Sequence, residues 1–358
     1  MAGESLVQNT ERFTDELLNW VRGRGKILIV VHDNPDPDCL ASAMALRHLF
    51  VMKLNRDATI AFSGMIGRSE NLAMAKELQI PLAPMGLLDF REFSVVCMLD
   101  TQPGTGNNSL PADVKVDILI DHHPSREASR SCRWVDIRDD YGVTATILYE
   151  YLSAQKVPIS TKLATALFYA IKSETQDLGR EANRPDRDAY LRLFAIANKK
   201  LLYEITHPKL PVEYFLTINR AIENTSIYDR LLITNLGNLC FPEIVAEMAD
   251  YFLRLEGIET VLAMGHYAGE MILSVRTVRH DLNAGVLIRK LVEGRGLAGG
   301  HGMMAGGKID AAGASDKDTR EIRDLLVTRI LVELGLEEAE AVSLGNLRNA
   351  SRGSRTAD

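Results

Sequence analysis

Three short, largely apolar runs each end on residues that bind metal ions, and this pattern constrains the fold more than any other feature of the chain. Ile27-Leu28-Ile29-Val30-Val31 runs into His32-Asp33-Asn34-Pro35-Asp36-Pro37-Asp38, Val95-Val96-Cys97-Met98-Leu99 into Asp100, and Val116-Asp117-Ile118-Leu119-Ile120 into Asp121-His122-His123. Apolar runs of this length, bounded by turn residues, read as buried strands. Strands covered on both faces belong to parallel sheets wrapped by helices, which gather their ligand-binding groups beyond the carboxyl ends of the strands.

The rest of the chain fits that frame. Apolar runs at 58–62 and 132–137 add strands, and helical patterns at 13–22, 40–49, 70–78 and 145–152 alternate with them. The expectation is an α/β fold with a mainly parallel sheet. Helices at 162–171 and 187–198 close a first domain over 1–198. His207-Pro208 and Leu210-Pro211 mark 199–225 as a helical linker. A smaller α/β domain is expected over 226–337, with strands at 230–236, 260–266 and 271–276 and helices at 243–255, 284–291 and 318–334. Residues 338–358, rich in Ala, Ser, Gly, Asn and Arg, read as a flexible tail. A length of 358 residues suits two such domains.

Charge narrows the partners. Lys+Arg 41 against Asp+Glu 48 gives a net charge of -7, which argues against tracking long duplex nucleic acid and leaves nucleotide-sized anions open. Cys39, Cys97, Cys132 and Cys240 show no CxxC spacing, so reduced thiols are expected, with Cys39 a packing residue. No basic flank with an apolar core opens the chain, and no run reaches the roughly 18 apolar residues of a membrane span. The expectation is a cytoplasmic protein with no membrane partner.

His32, Asp36 and Asp38 stand at i, i+4 and i+6 around an Asn34-Pro35 turn, where their side chains can converge beside the amino end of a helix. Alone, they read equally as turn formers and helix caps. Asp100 and Asp121-His122-His123 at two further strand ends tip the balance. An isolated buried carboxylate costs roughly several kcal/mol, and convergence on cations removes that cost. The combined pattern points to two divalent ions. Oxygen and imidazole donors without thiolate favour Mn2+, with Mg2+ or Fe2+ as alternatives, over a structural zinc.

On these residues the chain resembles the DHH phosphoesterase superfamily, whose name comes from the triplet seen here as Asp121-His122-His123 and whose first motif is similar to His32-x-x-x-Asp36-x-Asp38. Gly299-Gly300-His301-Gly302-Met303-Met304-Ala305-Gly306-Gly307 resembles the GGGHxxAAG signature of the DHH-associated C-terminal domain, with Ala298 in place of the first Gly and Met304 in place of the first Ala. In size and motif set the chain is similar to the nano-RNase/pAp-phosphatase type. The resemblance implies that His32 and Asp36 hold one ion, Asp38 and His122 the other, and that Asp100 bridges them. His123 is implied as a phosphate ligand or proton donor in two-metal hydrolysis, in which a bridging water attacks phosphorus. The family's fourth motif reads Ser/Thr-Asp-Thr, and here Ser173-Glu174-Thr175 stands in its place, with Asp177 two residues on. Glu174 is favoured on register as the ligand and Asp177 is the substitute.

In the second domain, Gly299, Gly300, His301 and Gly302 are expected to bind substrate through backbone N–H groups and an imidazole. The Gly307-Lys308-Ile309 sequence is not a P-loop. Arg276, in Ser274-Val275-Arg276, resembles the family's Ser-x-Arg and is a candidate phosphate clamp, with a solvated surface arginine as the alternative. Asn283 has a weaker claim. The resemblance implies a Mn2+-dependent phosphoesterase for short oligoribonucleotides or dinucleotides such as pApA, and for 3′-phosphoadenosine 5′-phosphate. Alternatives are a cyclic-dinucleotide phosphodiesterase, a pyrophosphatase or exopolyphosphatase-like hydrolase, and a nucleotide-binding regulator without turnover. A homodimer is compatible with the resemblance.

Overall fold

In a computed structural model that describes residues 2–180 and 182–345, six strands form an all-parallel sheet: β1 (Lys26–Val30), β2 (Ala58–Phe62), β3 (Leu82–Pro84), β4 (Phe93–Leu99), β5 (Ile118–Asp121) and β6 (Trp134–Ile137). Their order is β3-β2-β1-β4-β5-β6. The chain thus starts in the middle of the sheet and winds outward in both directions. Beyond the carboxyl ends of the adjacent strands β1 and β4 the connections diverge, which opens a crevice there.

Alternation along the strands distributes the core. Ile27, Ile29, Val95, Cys97, Leu99, Ile118 and Ile120 pack into one cluster, and Leu28, Val30, Val96, Met98 and Leu119 into another. Around the sheet run α1 (Ala2–Val21), α2 (Pro37–Leu54), α3 (Ser69–Glu77), α4 (Thr144–Ala154), α5 (Thr161–Glu174), α6 (Arg184–Ile196) and α7 (Lys199–Thr206). Pro37 opens α2 where its missing N–H costs nothing, and Asp36 caps it.

The chain divides into two compact units, residues 1–208 and 209–358. Of the two helices in the 199–225 segment, α7 falls in the first unit, and α8 (Val212–Glu223) falls in the second. The second unit is a seven-stranded mixed sheet in the order β11-β12-β10-β9-β8-β7-β13. Its strands are β7 (Thr225–Tyr228), β8 (Leu231–Asn238), β9 (Thr260–Tyr267), β10 (Glu270–Thr277), β11 (Gly296–His301), β12 (Met304–Asp310) and β13 (Val342–Ser343). Only β8 and β9 run parallel. Helices α8 and α9 (Ile244–Phe252) contribute to one buried cluster, and α10 (Ala284–Val292) and α11 (Asp316–Leu334) to another. Residues 346–358 of the expected tail lie outside the described residues.

The structure adds strands that the sequence pattern did not announce. β3 is three residues long and ends on Pro84, which suits the sheet edge where it lies. β11 is half glycine, and its strand character comes from antiparallel pairing with β12 instead of from side-chain propensity. No helix among the described residues is long and apolar enough to cross a membrane.

Candidate metal centre and glycine hairpin

The acidic turn after β1 divides its residues between turn contacts and the candidate ligand cluster, and Asp36 takes part in both. Asp33 and Asn34 are staples. Asp33 accepts from Ser109 N at 3.0 Å and Ser109 Oγ at 2.7 Å, and the Asn34 side chain accepts from Met65 N at 2.9 Å. A Cβ on Gly64 would stand 2.3 Å from Asn34 Oδ1, so that close approach requires glycine. Asp36 caps α2 with Oδ1, 3.1 Å from Cys39 N, while its Oδ2 lies 3.3 Å from His32 Nε2.

Asp100, at the end of β4, is buried and holds a left-handed φ of 57°. Its Oδ2 lies 3.6 Å from His32 Nε2 and its Oδ1 lies 3.5 Å from His122 Nε2. Each imidazole spends Nδ1 on a backbone carbonyl: His32 on Asp33 at 2.9 Å and His122 on Tyr141 at 3.2 Å. That fixes both rings with Nε2 toward the carboxylates, as metal-binding histidines are commonly held. Asp38, also buried, stands 3.9 Å from His122 Nε2 and accepts from Thr144 N at 2.8 Å and Ala145 N at 2.7 Å.

Ligand atoms of His32, Asp36 and Cys39 lie within 4.8 Å of one another, and so do those of Asp100, His122 and His123. The carboxylates show why cations fit. Burial, then Asp36 and Glu174, pushes Asp38 up to about 8, and burial, then Asp38 and Asp36, holds Asp100 well above the carboxylate range. Several acids that repel one another in a desolvated space become jointly ionised when positive charge is placed among them. Cys39 is fully buried, its thiol donates to Asp36 O at 3.4 Å, and burial raises it to about 12. It packs as a neutral thiol.

Glu174 ends α5. It is open to solvent at one side yet densely surrounded, and desolvation followed by Asp36 raises it to about 7 against the pull of Arg180, His123 and Arg68. Asp177 turns elsewhere, pairing with Lys172 and accepting from Tyr190 Oη at 2.9 Å. Gln176, Asp177 and Leu178 all have positive φ, 48°, 57° and 66°, and this left-handed turn carries Asp177 out of register with the ligands. Of the two candidates the structure brings Glu174 to the cluster.

Asp121 is fully buried. Its Oδ1 accepts from His122 N at 2.8 Å, His123 N at 3.2 Å and His123 Nδ1 at 2.9 Å, and its Oδ2 accepts from Gln102 Nε2 at 2.8 Å. His123, whose side chain is 42% exposed, keeps Nε2 available for another partner. Burial lowers its basicity, but the bond and charge of Asp121 outweigh that and raise its pKa.

In the second unit, Arg276 on β10 is buried and not a solvated surface residue. It donates to Asp250 at 2.6 Å, Ser274 Oγ at 2.8 Å and Val275 O at 3.1 Å. Its register partner on β12 is Met304, so it neighbours the hairpin turn. Gly299 and Gly300 lie in β11 and Gly302 opens the turn; the His301 side chain lies outside the described residues. Gly300 has φ +137°, and a Cβ there would meet Ala305 Cα at 2.5 Å. Gly302 O accepts from Ala284 N at 2.7 Å, which ties the turn to the start of α10. Asn283 caps that helix, accepting from Val286 N at 3.0 Å.

The description "DHH family, N-terminal domain" matches residues 26–171, and the DHHA1 domain matches residues 229–328. The chain belongs to the DHH superfamily. An uncharacterised protein of Methanocaldococcus jannaschii, MJ1633, is 32% identical over 324 residues, 88% of this chain and 66% of that protein. The DHH chain thus spans just under two thirds of this relative. A second uncharacterised protein of the same organism, MJ0988, is 22% identical over 347 residues, covering 89% and 98%. Among solved structures, an exopolyphosphatase-related protein from Bacteroides fragilis matches with a TM-score of 0.64 at 16% identity, covering 90% of this chain and 97% of that one. That likeness shows a shared fold.

The DHH motifs do not announce every residue that builds the centre. Gln102 and Tyr141, from loops, and Thr144, at the start of α4, support candidate ligands, and Asp186, in the first turn of α6, holds the residues around Thr144. Gln102 also accepts from Arg126 N at 2.8 Å and Ser129 Oγ at 2.7 Å, so one buried amide joins the ends of β4 and β5.

Proposed function

We propose that this DHH protein is a metal-dependent phosphoesterase that hydrolyses short phosphorylated nucleotides: very short oligoribonucleotides, dinucleotides such as pApA, and 3′-phosphoadenosine 5′-phosphate. The observation that carries the reading is Asp100, whose two oxygens face His32 on one side and His122 on the other. His32, Asp36, Asp38, Asp100, His122 and Glu174 would hold two divalent ions, Mn2+ foremost, which supply Lewis acidity toward a phosphoryl oxygen and an acidified water. His123 keeps Nδ1 on Asp121 and offers Nε2 to the phosphate or the departing oxygen as a proton donor. In the second unit, Arg276 and the hairpin of Gly299, Gly300, His301 and Gly302 would bind phosphate, with Asn283 fixing the adjacent helix start. The acidic net charge supports a short nucleotide partner over a long duplex.

One observation favours a second reading, a nucleotide-binding regulator: Glu174 stands where the family motif has Asp. The test is product release from pAp, pApA, cyclic di-AMP, short RNA and pyrophosphate with Mn2+, Mg2+, Fe2+ or EDTA. The hydrolase reading expects release from the short nucleotides that EDTA abolishes. Release that ignores chelation overturns the metal mechanism, and tight binding without product selects the regulator.

A further inference from the structure

Among the described residues, the hydrogen bonds that residues 141–146 make to the centre go to His122, Asp38 and Asp100. Tyr141 O meets His122 Nδ1 at 3.2 Å, Thr144 N and Ala145 N donate to Asp38 at 2.8 and 2.7 Å, and Thr144 Oγ1 donates at 3.0 Å to Oδ1 of Asp100, the oxygen that faces His122. The supported atoms, His122 Nδ1, the Asp38 carboxylate and Oδ1 of Asp100, border the half beside His122, while Oδ2 of Asp100 faces His32. On the other half, His32 is oriented by Asp33 O, and Asp36 by Cys39 N.

The turn is itself held from behind. Asp186, fully buried in the first turn of α6, accepts from Gly142 N at 2.9 Å and Thr146 Oγ1 at 2.7 Å, so the residues on either side of Thr144 are pinned. Thr144 is fully buried and is the first residue of α4, where its N–H has no partner inside the helix and is free to serve Asp38.

We propose that Thr144 is a positioning residue for one ion only: its hydroxyl and its N–H set the spacing of Asp100 and Asp38 beside His122, and the half beside His32 does not depend on it. The inference rests on the two-ion reading above. Outer partners of metal ligands are worth about 10- to 100-fold in affinity, and here that effect should fall on a single ion.

The test is Mn2+ binding to the full chain, stripped by chelation and then titrated, with bound ions counted and the electron paramagnetic resonance spectrum recorded. The wild-type chain should bind two ions and show an exchange-coupled pair. Thr144→Val removes the hydroxyl at constant shape. It should keep one ion at wild-type affinity, weaken the other about 10- to 100-fold, and show an uncoupled spectrum at low Mn2+. Thr144→Ser should restore the pair. The ion-free melting temperature checks the fold, and Thr144→Ala carries the same measurement if the valine variant does not fold. Two ions bound at wild-type affinity in the variant, or equal weakening of both, overturns the proposal. Two coupled ions without product from any phosphoester would sink the hydrolase reading and leave the role of Thr144 standing; fewer than two ions in the wild type overturns both.

Discussion

The buried carboxylate of Asp121 accepts the Nδ1 proton of His123 at 2.9 Å, and its other oxygen is held by Gln102. This arrangement spends Nδ1 of His123 on the protein and leaves Nε2 outside that bond. Asp121→Asn should preserve the backbone bonds poorly and free the ring to adopt the other tautomer. The expected outcome is a loss of about 10²- to 10⁴-fold in kcat, the range for a misplaced proton donor, with KM changed far less. An unchanged kcat on pApA would remove His123 from proton transfer.

The elevated carboxylates give the ion-free chain a defined pH response. Asp38 sits at about 8 when folded, against about 4 when unfolded, so across that window the folded form holds a proton that the unfolded form has released. Raising the pH from 5 to 8 therefore lowers ion-free stability. Glu174, at about 7, acts in the same sense. Mn2+ affinity runs oppositely, rising with pH as these protons leave. Melting curves at pH 5 and 8, with EDTA and with Mn2+, check both slopes; ion-free stability that climbs with pH would contradict the picture.

Glu174→Gln and Asp177→Asn separate the two candidates for the last ligand. The glutamine should weaken one Mn2+ by about tenfold or more, on the scale of metal-site substitutions. The asparagine breaks exposed contacts with Lys172 and Tyr190 and should cost about 0–1 kcal/mol of stability with both ions retained. Calorimetric titration reads the difference, and the reverse ranking would move the ligand to Asp177.

In the second unit, Gly300→Ala places a methyl 2.5 Å from Ala305 Cα at a φ of +137°. The β11–β12 pairing must distort. The expected result is a KM for pAp raised about tenfold or more, roughly the 1.4 kcal/mol or greater set by backbone strain of this kind, with Mn2+ binding in the first unit unaltered.

How much of this was legible in the sequence follows the physics of each element. The five longer strands of the first sheet and the ligands at their tips were readable because burial on both faces forces continuous apolar runs and because His and Asp cannot sit at three strand ends cheaply without a purpose. The Leu82–Pro84 edge strand was not, since three residues carry no periodicity. The glycine hairpin reads as a binding segment because glycine lets backbone N–H groups come close to a phosphate and because its motif resembles the family's; its pairing with β12 is a tertiary effect. Gln102, Thr144 and Asp186 act through hydrogen bonds to residues 19 or more positions away, which leave no local pattern. Arg276 could be placed at a strand end from its motif, but its bond to Asp250 depends on a helix packed against the sheet.

The left-handed backbone at Asp100 has an evolutionary corollary. Asp and Asn tolerate that conformation best among residues with a side chain, so a lineage that abandoned hydrolysis and kept the fold would be expected to drift there to asparagine before anything bulkier. Sequencing such paralogues would show their loss of chemistry as an Asn at this position in an otherwise intact motif set.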